Sequence, residues 1–190
     1  MKRGARALGL AESSRGERST LAGAVVRADR AVDDLAFATC TVGGTDATAA
    51  VSGLWDRLDR PDVQYVCCAG IAPAWYNVLD LHRLHAATDR PDLSVSFEAS
   101  DGLADAIRDA FDGEAATARL DTYSVQPDRH RVELGDDTVF VRAVDLAPEE
   151  AAEVVRNFTP EGGRPEPLRV ARLAARAGDA FRRRTLDADD

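Results

Sequence analysis

Four carboxylates stand at positions from which acids could converge on a metal ion. Glu12 closes the first strand-like run and Asp46 opens the first helical segment. Asp80 follows the apolar run of residues 63–69, and Glu98 closes the alternation Leu93, Val95, Phe97. Phosphodiester hydrolysis with Mg²⁺ needs acids arriving from different strands, because the ion takes oxygen ligands and the phosphate charge must be neutralised. The chain carries 33 acids, so such coincidences of position are cheap and the four remain candidates. A second set is cationic. Arg169, Arg172, Arg176 and Arg183 recur at helical spacing, with Arg164, Arg182 and Arg184 nearby. That stripe suits a phosphate backbone, or it pairs with the chain's own acids. Trp75 and Tyr76 follow the apolar run, where they could stack an unpaired base or cover the sheet edge.

Other chemistries lack their residues. There is no glycine-rich phosphate loop with Lys, no Gly-x-Ser-x-Gly elbow and no dinucleotide fingerprint. His82 and His85 share a helix face but have no third ligand at a recognised spacing. Cys40, Cys67 and Cys68 give an odd count without metal spacing and read as small core residues. Gly43-Gly44-Thr45 reads as a tight turn before a helix cap, since Asp46 would repel an anion there.

The elements that must position these side chains follow from periodicity. Residues 7–12, 21–28 and 35–42 read as strands spaced for antiparallel pairing. Val51, Leu54, Trp55 and Leu58 mark a helix capped by Thr45 or Asp46. Residues 63–69 form a strand apolar on both faces, with a helix starting near Asn77. Residues 93–97 form another strand, followed by a helix to Phe111 that stops at Gly113. Residues 119–125, 130–133 and 138–144 read as shorter extended segments. Pro148 opens a helix through Asn157, and Pro165-Glu166-Pro167 opens a last one with an apolar face of Val170, Leu173, Ala174, Ala177 and Phe181. The result is an α/β chain whose mixed sheet has antiparallel strands first, parallel βα units after, and helices on both faces. That is the order of ribonuclease H-like folds. Residues 1–184 are expected to form one domain and residues 185–190 an acidic tail.

Composition bounds the setting. With 190 residues and 45% apolar content the chain can bury a full core. No run is long and apolar enough for a membrane span, and no signal segment is expected, so the reading is cytoplasmic. Asp supplies 23 of the acids, and Lys2 is the only lysine beside 23 arginines. Such a surface is expected of a protein working in high salt. The net charge of −9 is uneven: residues 1–30 carry +4 and residues 156–184 carry +5.

Several segments resemble one family. Residues 1–14 (MKRGARALGLAESS), 41–48 (TVGGTDAT) and 69–80 (AGIAPAWYNVLD), with the later Pro165-Glu166-Pro167-Leu168-Arg169-Val170-Ala171, are similar in kind and order to the archaeal endonuclease dU family, distantly related to endonuclease V. The resemblance implies a ribonuclease H-like, endonuclease V-like fold and Mg²⁺- or Mn²⁺-dependent cleavage of nucleic acid, DNA first, near deaminated bases such as deoxyuridine or deoxyinosine. It implies Glu12 and Asp46 as metal ligands, Asp80 as a further ligand or water-orienting base, Arg169, Arg172 and Arg176 on the backbone, and Trp75 and Tyr76 against a base. The family's usual acids are replaced here by Ala11, Gly43 and Ala69. Two alternatives therefore stand beside the endonuclease: a catalytically degenerate nucleic-acid-binding protein on the same fold, or a protein or small-ligand interaction module. Oligomeric state is left open.

Overall fold

The computed structural model describes residues 4–186. Residues 1–3 and 187–190 lie outside it, including most of the expected tail, whose first two residues continue the last helix. Three long strands open the chain as an antiparallel meander: β1 (Arg6–Ser14), β2 (Arg18–Arg27) and β3 (Val32–Thr41). Then come α1 (Ala47–Leu58), β4 (Tyr65–Ala69), the single turn α2 (Pro73–Tyr76), α3 (Leu81–Thr88) and β5 (Asp92–Ser96). β4 adds in parallel to β1, and β5 in parallel to β4. The helices α4 (Ala104–Ala110) and α5 (Gly113–Ser124) precede a hairpin of β6 (His130–Leu134) and β7 (Asp137–Val144) that pairs antiparallel with β5. α6 (Pro148–Asn157) and α7 (Glu166–Leu186) complete a seven-stranded sheet ordered β3-β2-β1-β4-β5-β7-β6. This is the mixed ribonuclease H-like layout that the order of elements suggested.

Strand alternation divides the core between the two faces. Leu8, Leu10, Val25, Cys40, Val66 and Cys68 pack against α1 and α3 through Val51, Leu54, Leu81 and Leu84. Cys67, Leu93, Val95, Val139 and Val141 face the other way, against α6 and the start of α7. The cysteines are free and buried, as expected, and burial pushes the Cys67 thiol up to about 12.

Three local expectations are corrected. Residues 119–125 are not extended; residues 119–124 belong to α5, which begins at Gly113 where a stop was expected. The Ala-rich stretch Glu114–Leu120 carries strong helix propensity, and it overrides the short alternation that suggested a strand. The helix after β4 starts at Leu81 rather than near Asn77, because residues 73–76 make a turn of opposite hand. α7 is rotated from its expected apolar face. Leu168, Ala171 and Ala175 are fully buried, while Leu173 and Phe181 are exposed. Small residues decide this, because the helix lies close on the sheet. A Cβ on Gly9 would sit 2.1 Å from the Pro167 carbonyl oxygen, and one on Gly178 would sit 2.8 Å from the Phe37 ring.

One buried acid has no counterion. Asp92 opens β5 with no exposed surface, receives only a 3.5 Å contact from the Thr88 hydroxyl, and has one oxygen without a partner among the described residues. Burial pushes its carboxyl up to about 8. The folded form thus holds a proton that the unfolded chain releases above its ordinary value of 3.8. Its contribution should lower stability steadily as pH rises from the unfolded value toward the folded one, and then level off. Asp92→Asn should flatten that slope in urea melts at pH 5, 6.5 and 8; an unchanged slope would show that other groups set it.

Candidate nucleic-acid interface

The C-terminal ends of β1, β4 and β5 share one edge of the sheet, where the β3–α1 turn and the loop after β4 are tied together. Asp46 occupies the cap position of α1 but bonds no amide of that helix. Its carboxylate turns back to β3, accepting from the Thr41 amide at 3.0 and 3.1 Å and the Thr41 hydroxyl at 2.9 Å. The Asn77 amide adds a fourth bond at 2.7 Å. Burial alone would raise this carboxyl, but the Thr41 and Asn77 donors hold it below the ordinary carboxylate value. Asn77, fully buried, supplies what Asp46 leaves undone. Its carbonyl accepts from the Ala47 amide at 2.9 Å, capping α1, and its amide also donates to the Thr41 carbonyl at 2.9 Å.

This knot holds a strained turn. Ala74 (φ 48°, ψ 53°), Trp75 (φ 59°, ψ 70°) and Tyr76 (φ 57°) are three consecutive left-handed residues with side chains. Each costs about 1–2 kcal/mol relative to the right-handed form. The turn is anchored on both sides: the Asn77 amide donates to the Pro73 carbonyl at 3.0 Å and the Gly43 amide to the Ala74 carbonyl at 2.7 Å. Ala74 is buried, whereas Trp75 is 61% exposed. Tyr76 meets Trp75 and Phe111 edge to face. Arg119, overlooked at the sequence level inside a supposed strand, lies 3.8 Å over Phe111 and donates to the carbonyls of Gly43 and Gly44. This guanidinium is 5% exposed, and burial lowers its pKa. Strain of this kind, held by contacts on every side, is characteristic of functional loops.

Each candidate acid is engaged by its own neighbours. Glu12 ends β1 and accepts a 2.5 Å bond from the Ser19 hydroxyl. It shares a cleft of about 20 Å³ with Ala11, Ala69, Gly70, Cys68 and Pro73, room for about one water. Asp46 has both oxygens committed to Thr41 and Asn77. Asp80 caps α3 by accepting from the Arg83 amide at 3.1 Å. Among the described residues no group of three or more His, Cys, Asp or Glu side chains could hold a metal ion. The Mg²⁺ or Mn²⁺ that the resemblance implies therefore does not fit this donor set. His82 and His85 bond the carbonyls of Val125 and Arg90.

The basic stripe divides in two. Arg169 bonds Glu166 at 2.5 and 2.7 Å, and Arg182 and Arg183 bond the buried Asp179. Arg169 thus pairs with Glu166 one turn away while its side chain stays half exposed. Arg172 and Arg176 are exposed and form no ion pair among the described residues. Arg164 joins them: it stacks 3.7 Å over Phe97 just beyond β5, and burial and the nearby charges of Arg172 and Arg176 lower its pKa. Its place in a loop before α7 hid this from helical spacing.

A family model described as endonuclease dU matches residues 3–178. The chain belongs to the endonuclease dU family. The UPF0215 protein of Pyrobaculum aerophilum is 33% identical over 165 residues, covering 86% of this chain and 87% of that one. A solved protein of unknown function from Archaeoglobus fulgidus superposes with a TM-score of 0.81 at 24% identity, over 91% of this chain and 97% of its own. Endonuclease V of Ciona intestinalis, solved with a 24mer DNA containing inosine, has a TM-score of 0.58 at 13% identity, over 98% of this chain and 87% of its own. The ribonuclease H-like fold of endonuclease V is therefore the fold of this endonuclease dU family member. Asn77→Ala should cost it about 3 kcal/mol in urea denaturation, because the Ala47 amide and Asp46 lose partners in a buried setting. A loss under 1 kcal/mol would mean that water replaces Asn77 and the knot is not what holds the turn.

Proposed function

We propose that this chain binds nucleic acid carrying an unstacked base, as a nuclease-like family member without the family's metal centre. Family and fold support a nuclease-like role on nucleic acid. The observation that carries the binding reading is the unpaired cationic cluster. In a chain of net charge −9, Arg164, Arg172 and Arg176 gather with no carboxylate bonded to any of them among the described residues. They flank the ends of β1 and β4 from the α7 side, where Ala171 packs on Ala11 and Ala69. Trp75 projects from the other side of the same edge. A phosphate backbone would lie on the guanidiniums, and an unstacked base would stack on the exposed indole. The Ciona endonuclease V, which shares this fold and was solved with inosine-containing DNA, supports nucleic acid as the ligand class.

The reading that includes Mg²⁺-dependent cleavage lacks donors here. Ala11, Gly43 and Ala69 offer no carboxylate, and Asp46 has none to spare. Glu12 remains beside the closed cleft as the one acid lining it.

Fluorescence anisotropy with labelled single strands, with and without deoxyuridine or deoxyinosine, tests the proposal. Arg172→Gln with Arg176→Gln should weaken binding at least tenfold and reduce the salt slope by about 1.4 for two phosphate contacts. Trp75→Ala should cost about 1–3 kcal/mol of binding. The same strands should stay intact with Mg²⁺ or Mn²⁺. Metal-dependent cleavage lost in Glu12→Gln would restore the endonuclease, and the absence of any nucleic-acid affinity would favour an interaction module.

A further inference from the structure

A second recess lies at this edge, apart from the cleft at Glu12. Beyond β4 and β5, a cavity of about 260 Å³ is lined by Tyr76, Ser94, Ser96, Tyr123, Arg129 and Arg142, and one carboxylate, Glu98, shares the lining. It opens outside the carboxyl ends of adjacent parallel strands, the usual ligand position in open α/β sheets. Its volume is slightly below the range of about 300–1,000 Å³ common for small-molecule sites, which limits an occupant to one compact molecule.

The lining is unusual for this chain. β5 alternates Leu93 and Val95 into the core with Ser94 and Ser96 toward the cavity, so a strand covered on both faces carries hydroxyls on one. Ser94 is only 4% exposed. The cations are stranger. Elsewhere arginines meet carboxylates: Arg6 and Arg27 bond Asp33 at 2.7 and 2.9 Å, and Arg60 bonds Asp62 at 2.9 Å. Arg142 instead donates to the Pro127 carbonyl and, at 3.0 Å, to the Tyr123 hydroxyl. Arg129 donates to the Ser100 hydroxyl at 2.8 Å and the Glu98 carbonyl at 2.9 Å, and lies 4.3 Å over the Phe140 ring. Neutral acceptors orient these guanidiniums but leave both charges uncompensated. No carboxylate, that of Glu98 included, is within ion-pair distance of either among the described residues.

We infer that this cavity binds a single nucleotide, with its base against Tyr76 and Tyr123 and its phosphate drawn by Arg129 and Arg142. Two positive charges select an anion, two phenol rings offer a wall for a planar base, and the serines supply hydrogen bonds to its polar edge. The nucleotide has two possible sources with one chemistry: a free mononucleotide or the phosphorylated end of a strand. The site uses none of the α7 arginines, so it stands or falls separately from the strand-binding proposal.

Isothermal titration with uridine and adenosine 5′-monophosphates, their nucleosides and inorganic phosphate tests this. A monophosphate should bind at least tenfold more tightly than its nucleoside or inorganic phosphate, and at least tenfold more weakly to Arg129→Gln. Ser94→Leu, which fills the cavity without removing a charge, should abolish binding, with circular dichroism melts verifying that both variants are folded. A short single strand with and without a 5′-phosphate distinguishes the sources. Preference for the phosphorylated strand that is lost in Arg129→Gln, with no binding of free monophosphate, assigns a strand end; the reverse assigns a free nucleotide. Equal binding of nucleoside and monophosphate, binding unchanged in both variants, or no binding of any probe overturns the inference.

Discussion

The Asp46–Asn77 contact is the constraint on which the functional edge depends. A buried amide and a carboxylate join the end of β3, the start of α1 and the loop after β4 in one hydrogen-bonded unit. Each partner satisfies a group the other leaves open, so the first turn of α1 is capped from a distant loop rather than by its own cap residue. That arrangement lets three residues persist in left-handed geometry and keeps Trp75 exposed. Phe111, just after α4, packs on Tyr76, and Arg119 of α5 lies over Phe111 and bonds the β3–α1 turn, so the left-handed turn is braced from two sides.

Charge is distributed with the same economy. Carboxylates at the opposite end of the sheet and along α7 are paired with arginine, with Asp33 and Asp179 each drawing two or more guanidiniums. At the functional edge the balance reverses. Ala11, Gly43 and Ala69 stand on it and the carboxylates of Glu12, Asp46 and Asp80 accept structural bonds, while Arg129, Arg142, Arg164, Arg172 and Arg176 have no bonded acid among the described residues. The cleft beside Glu12, which Ala11, Ala69, Cys68 and Pro73 line, has room for about one water.

The layout of the sheet was legible because strand and helix periods are local, and the apolar run of residues 63–69 and the alternation from Leu93 marked the two strands that lie buried at its centre. What escaped depended on contacts between distant segments. The face of α7 could not be read from its largest apolar residues, since a close approach over Gly9 and Gly178 favours Ala171 and Ala175 beneath it. Arg119 carried no signal of burial, because its carbonyl and ring partners lie on other elements. Glu12 lies near the end of β1, whereas Asp46 and Asp80 stand at the cap positions of α1 and α3, and sequence position cannot tell a free oxygen from one already bonded. Arg172 and Arg176 differ from Arg169 only through Glu166, one turn away on the same helix.

We propose that this edge is an anion-binding surface with no resident metal site. Titration with Mn²⁺, followed by the loss of its free-ion paramagnetic resonance signal, measures that directly on the unmodified chain. Only weak, unsaturated binding across the acidic surface is expected, the same in the native chain, Glu12→Gln and Asp46→Asn. One saturable Mn²⁺ per chain at micromolar concentration, lost in both variants, would contradict it and place a metal between those two carboxylates.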